Sequence, residues 1–387
     1  MGKGKKKYVI ISGFTIGNNN RGCDALSIGS IQFMKERNFL HDGDKIIFFR
    51  FMNNFLIRDF WIDTKNIINV NGEKWTQIIY TVPKYEKILW DKFHIILPFT
   101  RFGRCIRKIA CVAAINGGDG FSDIYREESM DRFNYFSYLA IEKKIPLILL
   151  PQTVGPFNSE SSKKKAEYIL RNATQVYVRD KSFANELDRM GIKYEITPDL
   201  SSFMLPEAWQ IDVKGRAIGI NVSGLAYSNT YQNLTGQFSV YPQLIDEIIS
   251  FFQKKKHTIY LIPHSFNYEQ SEPDNDDIEA CKAAFENHEN KNNIILINKN
   301  MTAPEVKFII SKMSFFIGTR MHANFAAIYT KVPVFGLSYS YKFKGAFDAN
   351  GLDGETQTAT INNITSEDIP YIINKISFFY DYRMNEE

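Results

Sequence analysis

The 387-residue sequence contains no run of eighteen consecutive apolar residues, so no segment reads as a transmembrane helix. Its first apolar stretch, Tyr8–Ile11, follows a lysine-rich start but turns polar too soon to be the core of a secretory signal. These two absences predict a cytoplasmic protein. There are four cysteines, Cys23, Cys105, Cys111 and Cys281, and no pair has C-x-x-C spacing. That argues against a zinc ribbon or a disulfide scaffold and predicts reduced, buried thiols. No His/Cys/Asp/Glu cluster with metal-ligand spacing appears, so neither a metal nor another cofactor is required. Charge of one sign is not in large excess: the net charge is +4. This gives no argument for nucleic acid, but it leaves room for an anionic ligand or an anionic membrane surface. Repeats at solenoid spacing are absent too.

What is present is a globular composition, 44% hydrophobic and 23% charged, on a chain long enough for two domains. Short apolar runs alternate with amphipathic helical patterns. In the first half the runs are "YVIIS", "KIIFFRF", "CVAAING", "PLILLPQ" and "QVYVRD". A second series, "AIGINVS", "TIYLIPH", "NIILIN", "SFFIG" and "VPVFGLS", follows the Pro/Ser/Gly-bearing stretch Thr197–Ala217. Buried strands alternating with helices imply parallel sheets covered on both faces. The fold class is therefore α/β, with two doubly wound Rossmann-like domains facing a cleft. The expected division is an N-terminal domain over 1–205, a C-terminal domain over 206–364, and a final amphipathic helix over 365–387 placed to pack back on the first domain.

Ligands of doubly wound sheets bind outside the strand C-terminal ends, and the unusual polar residues cluster in the corresponding loops. After the first run comes "GFTIGNNNRGCDAL", with Asn20 and with Asp24 placed to cap the next helix. It is not G-x-G-x-x-G, so it does not point to a dinucleotide. "INGGDGFSDIY" combines close-approach glycines with Asp119 and Asp123, carboxylates suited to sugar hydroxyls. Gln152 and Thr153 follow "PLILLP", and Arg179 ends "QVYV". A salt bridge is the ordinary role of such an arginine, and an anion hook is the functional one. His264 ends "TIYLIP". Arg320 and His322 open the helix after "SFFIG", where free N–H groups and the helix dipole favour phosphate or carboxylate. A lone histidine at a helix start usually caps or packs. Beside Arg320 it is also placed to act as a general acid or base.

In order, "NNNRGCDAL", "NGGDGFSD", "PQTVGPF", "VRDKSF", "PDLSSF", "IPHSF" and "GTRMHANFAAIYTKVPVFGLSYSYKFKGAFDANG" resemble the polysaccharide pyruvyl transferase family over roughly residues 8–350. The R-x-H element with its small-residue helix, V-P-V and lysine-bearing loop is the most specific part. The resemblance implies a fold similar to the two-domain glycosyltransferase B architecture. It also implies transfer of a pyruvyl group from the co-substrate phosphoenolpyruvate to two hydroxyls of a sugar, as a ketal, on a bacterial cell-surface polysaccharide or its lipid-linked oligosaccharide precursor. Under it, His322 is the catalytic proton donor or base. Arg179, Arg320 and Lys342 bind the donor, with Lys344 a substitute for Lys342. Asn20, Asp24, Asp119 and Gln152 fall on the acceptor side, and His264 has no settled role.

Two other classes fit the same residues less fully. A nucleotide-sugar glycosyltransferase would place a diphosphate on the helix start but needs a carboxylate clamp for ribose, which the sequence does not offer. A non-catalytic glycan-binding protein would not need Arg179, Arg320 and His322 together. One further segment, Lys84–Ala110, interleaves Trp90, Phe93, Ile95, Ile96, Leu97, Phe99, Phe102 and Ile106 with Lys87, Lys92, Arg101, Arg104, Arg107 and Lys108. It reads either as an amphipathic helix pair packed on the first domain or as a peripheral contact with the inner, anionic face of the membrane.

Overall fold

The computed structural model describes residues 7–53, 55, 63–118, 120–124, 127–213, 215–340 and 342–385. Its elements run β1 (Tyr8–Ser12), α1 (Arg21–Glu36), β2 (Lys45–Phe51), β3 (Thr64–Val70), β4 (Glu73–Val82), α2 (Lys84–Phe93), α3 (Arg101–Ile106), β5 (Ile109–Ala114), α4 (Glu127–Phe133), α5 (Tyr135–Glu142), β6 (Leu147–Gln152), α6 (Glu160–Asn172), β7 (Gln175–Val178), α7 (Ala184–Arg189) and β8 (Glu195–Ile196). The second series is β9 (Ala217–Asn221), α8 (Gly224–Ser228), α9 (Tyr241–Lys254), β10 (Thr258–Leu261), α10 (Asp277–Asn287), β11 (Ile294–Leu296), α11 (Ala303–Ile310), β12 (Phe315–Gly318), α12 (Met321–Tyr329), β13 (Val334–Ser338), α13 (Lys342–Ala349), β14 (Thr358–Thr360) and α14 (Ile369–Asn385).

The chain divides into two compact units, Met1–Phe14 with Leu26–Phe203, and Thr15–Ala25 with Met204–Glu387. In the second half of the chain the division falls between Phe203 and Met204. The loop Thr15–Ala25 differs: the sequence places it in the first domain, whereas it belongs to the second unit.

In the first unit the sheet order is β3-β4-β2-β1-β5-β6-β7-β8. All neighbours are parallel except β3 and β4. That antiparallel hairpin turns on Asn71 (φ 51°) and Gly72 (φ 86°), two adjacent left-handed residues that suit a tight β-turn. Strands β5 and β6 are buried almost throughout, as strands covered by helices on both faces must be. Val112, Ala114, Leu147 and Leu149 join Leu139 and Ala140 of α5 and Ile169 and Leu170 of α6 in one core.

The second unit holds a six-stranded parallel sheet in the order β11-β10-β9-β12-β13-β14. Numbered from its own first strand this is 3-2-1-4-5-6, the doubly wound nucleotide-binding order, which reverses direction between β9 and β12. One face packs against α9 and α14 through Ile245, Ile249, Phe252 and Phe315, the other against α11 and α12 through Ile309, Phe316 and Ala327. The sequence offered α14 to the first domain, but the helix packs within the second unit. Ile369, Ile372, Ile376, Phe379 and Tyr380 recur at helical spacing and enter its core. The Tyr380 ring meets Phe315 at 5.3 Å between centroids, and its hydroxyl bonds the His257 ring at 2.8 Å.

Cys105, Cys111 and Cys281 are buried. Burial pushes the Cys105 and Cys111 thiols up to about 12, so both remain protonated core side chains. No helix among the described residues is long and apolar enough to cross a membrane.

Helix α1 lies hard against the turn Leu200–Phe203 at Gly29, where a β-carbon would stand 1.8 Å from the Leu200 carbonyl oxygen. Replacing glycine by alanine inside a helix normally stabilises by about 1 kcal/mol. Here the sign should reverse: Gly29→Ala is expected to cost about 1–3 kcal/mol or more through overpacking against backbone. Thermal or denaturant unfolding checks this, and an unchanged or raised midpoint would contradict the close approach.

Candidate active site

In the second unit the strand order reverses between β9 and β12, the kind of place where doubly wound sheets bind ligands, and a polar network gathers beyond the ends of these strands. Asn221 ends β9. Its side-chain oxygen accepts the Arg320 backbone N–H at 2.9 Å, and its amide donates to Ile262 O at 3.0 Å and to Asp277 at 3.1 Å. Asp277 opens α10 and is fully buried. Its Oδ1 accepts from Gly224 N (2.9 Å) and from Arg320 Nε (3.0 Å) and Nη2 (2.7 Å). Its Oδ2 accepts from the backbone N–H groups of His264 (3.0 Å) and Ser265 (2.9 Å) as well as from Asn221. Arg320 Nη2 also donates to the carbonyl and side-chain oxygens of Asn275, both at 2.9 Å. Burial opposes the charge on Arg320, but the contact with Asp277 outweighs it and holds the guanidinium protonated more firmly than usual. Arg320 is thus the N-cap of α12 and a fixed cation, with Nε and Nη2 committed to Asp277 and Asn275.

The loop Thr15–Ala25 attaches to this network. Asn20 and Ser265 form an antiparallel bridge, flanked by Arg21 N to His264 O (3.1 Å) and Phe266 N to Asn19 O (2.8 Å). The Arg21 guanidinium lies over the Phe266 ring at 4.0 Å. Its Nε donates to Met301 O at 2.7 Å, and Nη1 donates to Asn18 O. Asn20 Oδ1 accepts from Gly22 N at 2.9 Å, so Asn20 caps the start of α1. Asp24 folds back on the loop instead of capping the helix: its oxygens accept from Gly17 N (3.1 Å) and Asn18 N (2.9 Å). Asn20 and Asp24, expected on the acceptor side of the first domain, therefore sit in the second unit with the R-x-H turn.

His322 stands half-buried in the first turn of α12, edge-on to Phe325 at 5.5 Å. Gly22 makes room for it: a β-carbon there would lie 2.6 Å from His322 Nδ1. His264 is buried, and its Nδ1 has no hydrogen-bond partner among the described residues. Burial, then the neighbouring His322, Arg320 and Arg21, pushes its pKa well below the usual histidine value, so it is a neutral imidazole. Ser223, just beyond β9, has a buried hydroxyl that is likewise unpartnered among the described residues. Buried polar atoms without partners are uncommon, and these two lie beyond the ends of the neighbouring strands β9 and β10. Lys342 opens α13, with its backbone N–H on Ser340 Oγ at 3.4 Å.

The first unit carries its own constellation. Arg179 follows β7. Its Nε donates to Thr153 Oγ1 (3.0 Å) and its Nη1 to Asp199 Oδ2 (2.7 Å), while the other Asp199 oxygen accepts from Ser201 N and Oγ. Gln152 is wholly buried; its amide donates to Ala114 O at 3.1 Å, and Oε1 has no partner among the described residues. Asp119 lies outside the described residues. Asp123 ties the loop by accepting from Asn158 and Ser159. Among the described residues no group of three or more His, Cys, Asp or Glu side chains is placed to hold a metal ion.

Sequence reasoning missed Asn221, Asp277 and Arg21. Asp277 carries a detectable signal, the pair Asp276–Asp277 before a helical pattern, but capping accounts only for Asp276, which accepts from Ile278 and Glu279 N–H groups. The partner of Arg320 is 43 residues away, and no local pattern encodes it.

Burial, partly countered by Asn18, Arg21 and Gly17, pushes the Asp24 carboxyl up to about 6. The folded chain therefore binds this proton more tightly than the unfolded chain, whose aspartates titrate near about 4. The resulting stability is present at low pH and is lost as pH rises from about 4 to about 6. Asp24→Asn lacks that loss, so its melting temperature relative to the parent should climb across the same window. A difference that stays flat between pH 4 and pH 7 would show an ordinary carboxylate.

A family profile described as "Polysaccharide pyruvyl transferase" matches residues 20–341. Comparison with curated protein sequences finds no match. Among solved structures, the chain resembles UDP-GlcNAc 2-epimerase from Methanocaldococcus jannaschii, with TM-score 0.52, 9% identity, and 96% of this chain and 92% of that chain covered. It also resembles UDP-GlcNAc 2-epimerase from Neisseria meningitidis bound to UDP-GlcNAc, with TM-score 0.50, 11% identity and coverage of 97% and 92%. At such identity the likeness establishes the fold, which is of the glycosyltransferase B type. The profile spans most of the chain and contains both strand-end arginines and the R-x-H turn, so this chain belongs to the polysaccharide pyruvyl transferase family.

Proposed function

We propose that the protein transfers a pyruvyl group from phosphoenolpyruvate to two hydroxyls of one sugar, in a bacterial cell-surface polysaccharide or its lipid-linked precursor, leaving a cyclic ketal and free phosphate. The observation that carries the reading is the turn Arg320–Met321–His322. It sets an imidazole beside an immobilised guanidinium on the first turn of a helix at a strand-order switch. The donor has a carboxylate and a phosphate, and a helix start with a fixed cation suits either.

In this reading His322 protonates the methylene carbon of the enol, and the electron pair of the C=C bond forms the new C–H bond. The enol carbon becomes electrophilic and a first sugar hydroxyl adds to it. The C–O bond to phosphate then breaks with its electron pair on phosphate, and the second hydroxyl closes the ketal. Two hydroxyl protons are released: one replaces that given by His322, the other leaves on phosphate. His264, held neutral with an open Nδ1, accepts a hydrogen bond from a sugar hydroxyl of the acceptor. Lys342, in the same unit as the R-x-H turn, adds positive charge for the donor's anionic groups, and Asn20 offers its amide to a sugar hydroxyl. Preorganised dipoles and charges of this kind supply much of an enzyme's rate.

The test is phosphate release from phosphoenolpyruvate that depends on a saccharide acceptor, with mass spectrometry of the product. UDP-sugars replacing phosphoenolpyruvate serve as the control. Acceptor-dependent release and a product heavier by one pyruvyl ketal are expected; turnover of UDP-sugars alone would refute the assignment. His322→Ala should keep the fold and lower kcat about 100-fold or more, as loss of an acid–base group does.

Gly22→Ala should act through the same imidazole. A methyl group there meets Nδ1, so the ring must shift, and kcat should fall with the melting temperature unchanged or raised. Arg320→Ala is a poor probe of donor binding. It strands the buried Asp277, with an expected cost of about 3–5 kcal/mol, so its loss of activity would accompany loss of stability on thermal melting.

A further inference from the structure

The helix pair α2–α3 in the first unit separates its large apolar side chains into two groups. Trp90, Phe102, Cys105 and Ile106 are buried in the core of that unit. The connecting loop is not. Residues 93–99, "FHIILPF", are apolar at every position but His94, yet Phe93, Ile95 and Phe99 are 61%, 48% and 71% exposed. Ile96 of the same loop packs against that core, while these three side chains stay in water. The loop is also firmly held. His94 ends α2 in the left-handed conformation, with its N–H on α2 carbonyls. Gly103 lies so close that a β-carbon would stand 2.1 Å from Leu97 O. A rigid loop presenting two phenylalanines and an isoleucine to water marks an interaction surface.

Cations surround this surface. Arg107 Nη2 donates to Pro98 O at 2.7 Å, and Lys143 Nζ donates to His94 O at 3.1 Å. Lys92 on α2 and Arg104 on α3, the two helices that the loop joins, are exposed. Of the nearby carboxylates, Asp91 is paired with Lys87 and Glu142 faces His94. Arg101, which the sequence placed on the basic face, is paired with Asp63. A second copy of the chain docking symmetrically would bring this basic rim against itself, and an uncharged partner would leave it unanswered. An anionic lipid surface satisfies both features: apolar side chains enter the headgroup boundary and the cations meet lipid phosphates.

We propose that the loop 93–99, with its basic rim, is a peripheral docking site for anionic membranes. The loop follows α2 and precedes β5, so it lies at the N-terminal edge of the first sheet. Gln152 and Arg179 are at the opposite edge. Docking therefore leaves the strand-end residues of this unit uncovered.

The test is co-sedimentation of the full chain with vesicles of phosphatidylcholine alone or mixed in equal parts with phosphatidylglycerol, at about 0.05 M and about 0.5 M salt. Binding is expected only to the mixed vesicles and should weaken at high salt. Phe93→Ser with Phe99→Ser should lower the partition about tenfold or more. Lys92→Gln and Arg104→Gln should each lower it about fivefold. Phe378→Ser, which removes an equally exposed aromatic on α14, should not change it. These side chains are exposed, so circular dichroism should show all variants folded.

No sedimentation at low salt, equal binding to neutral vesicles, or indifference to the double phenylalanine change would overturn the proposal. So would a lipid-independent dimer that the same double change dissolves, because a second copy would then cover the loop. Vesicle binding requires neither donor nor acceptor, so its outcome is separate from that of the phosphate-release assay.

Discussion

The second unit depends on one buried ion pair. Asp277 carries no exposed surface and accepts six hydrogen bonds, from the backbone of Gly224, His264 and Ser265, from the Asn221 amide, and twice from Arg320. Those donors belong to the segments following β9, β10 and β12. One carboxylate at the head of α10 thus gathers three strand ends around the point where strand order reverses. A buried charge is tolerated only when paired and fully hydrogen-bonded, and here that requirement orders the backbone of the site. The same bonds immobilise Arg320 before any ligand arrives, and preorganisation of this kind lowers the cost of binding an anion.

The first unit contains a second instance of the device. Arg179 follows its strand directly and is also held by a buried aspartate, Asp199, whose remaining oxygen is occupied by Ser201. In both units a guanidinium at a strand end is thus fixed by a desolvated carboxylate. The sequence reading set salt bridge and anion hook against each other for Arg179. In the structure it makes the salt bridge, and that bond fixes the plane of the guanidinium.

Around the R-x-H turn, absence of a side chain matters as much as chemistry. Gly22 leaves space for the His322 ring, which a methyl group would invade at 2.6 Å. That glycine arrives on the loop Thr15–Ala25, held by the Asn20–Ser265 bridge and by Arg21 over Phe266. The loop follows the first strand of the chain but belongs to the second unit. Its residues thereby complete the surroundings of His322, and His264 is kept neutral by burial among like charges.

Much of this was legible from local pattern. Strands β1 and β2 coincide with the apolar runs YVIIS and KIIFFRF, and the alternation of runs with helical stripes specified parallel sheets, because a strand covered on both faces must be apolar throughout. The placement of Gln152 at the end of a strand, and of Arg179, His264, Arg320 and His322 after strands, followed from the same alternation. The hairpin β3–β4 was not part of that reading, although Asn71–Gly72 is a short-range turn signal. The helix α14 advertised an apolar stripe but not which core would take it, since a stripe carries periodicity and no address.

What the sequence determined by itself was therefore periodic or adjacent in the chain: element type, strand-end loops, and the pairing of Arg320 with His322 on one helical turn. Tertiary structure alone decided that Asp277 neutralises Arg320, that Gly22 lies against His322, and that Phe93 and Phe99 stay in water while Trp90 and Phe102 do not. Each of these joins or separates residues by how distant segments pack, and the energy that settles them, burial of charge and exclusion of overlapping atoms, exists only once those segments meet.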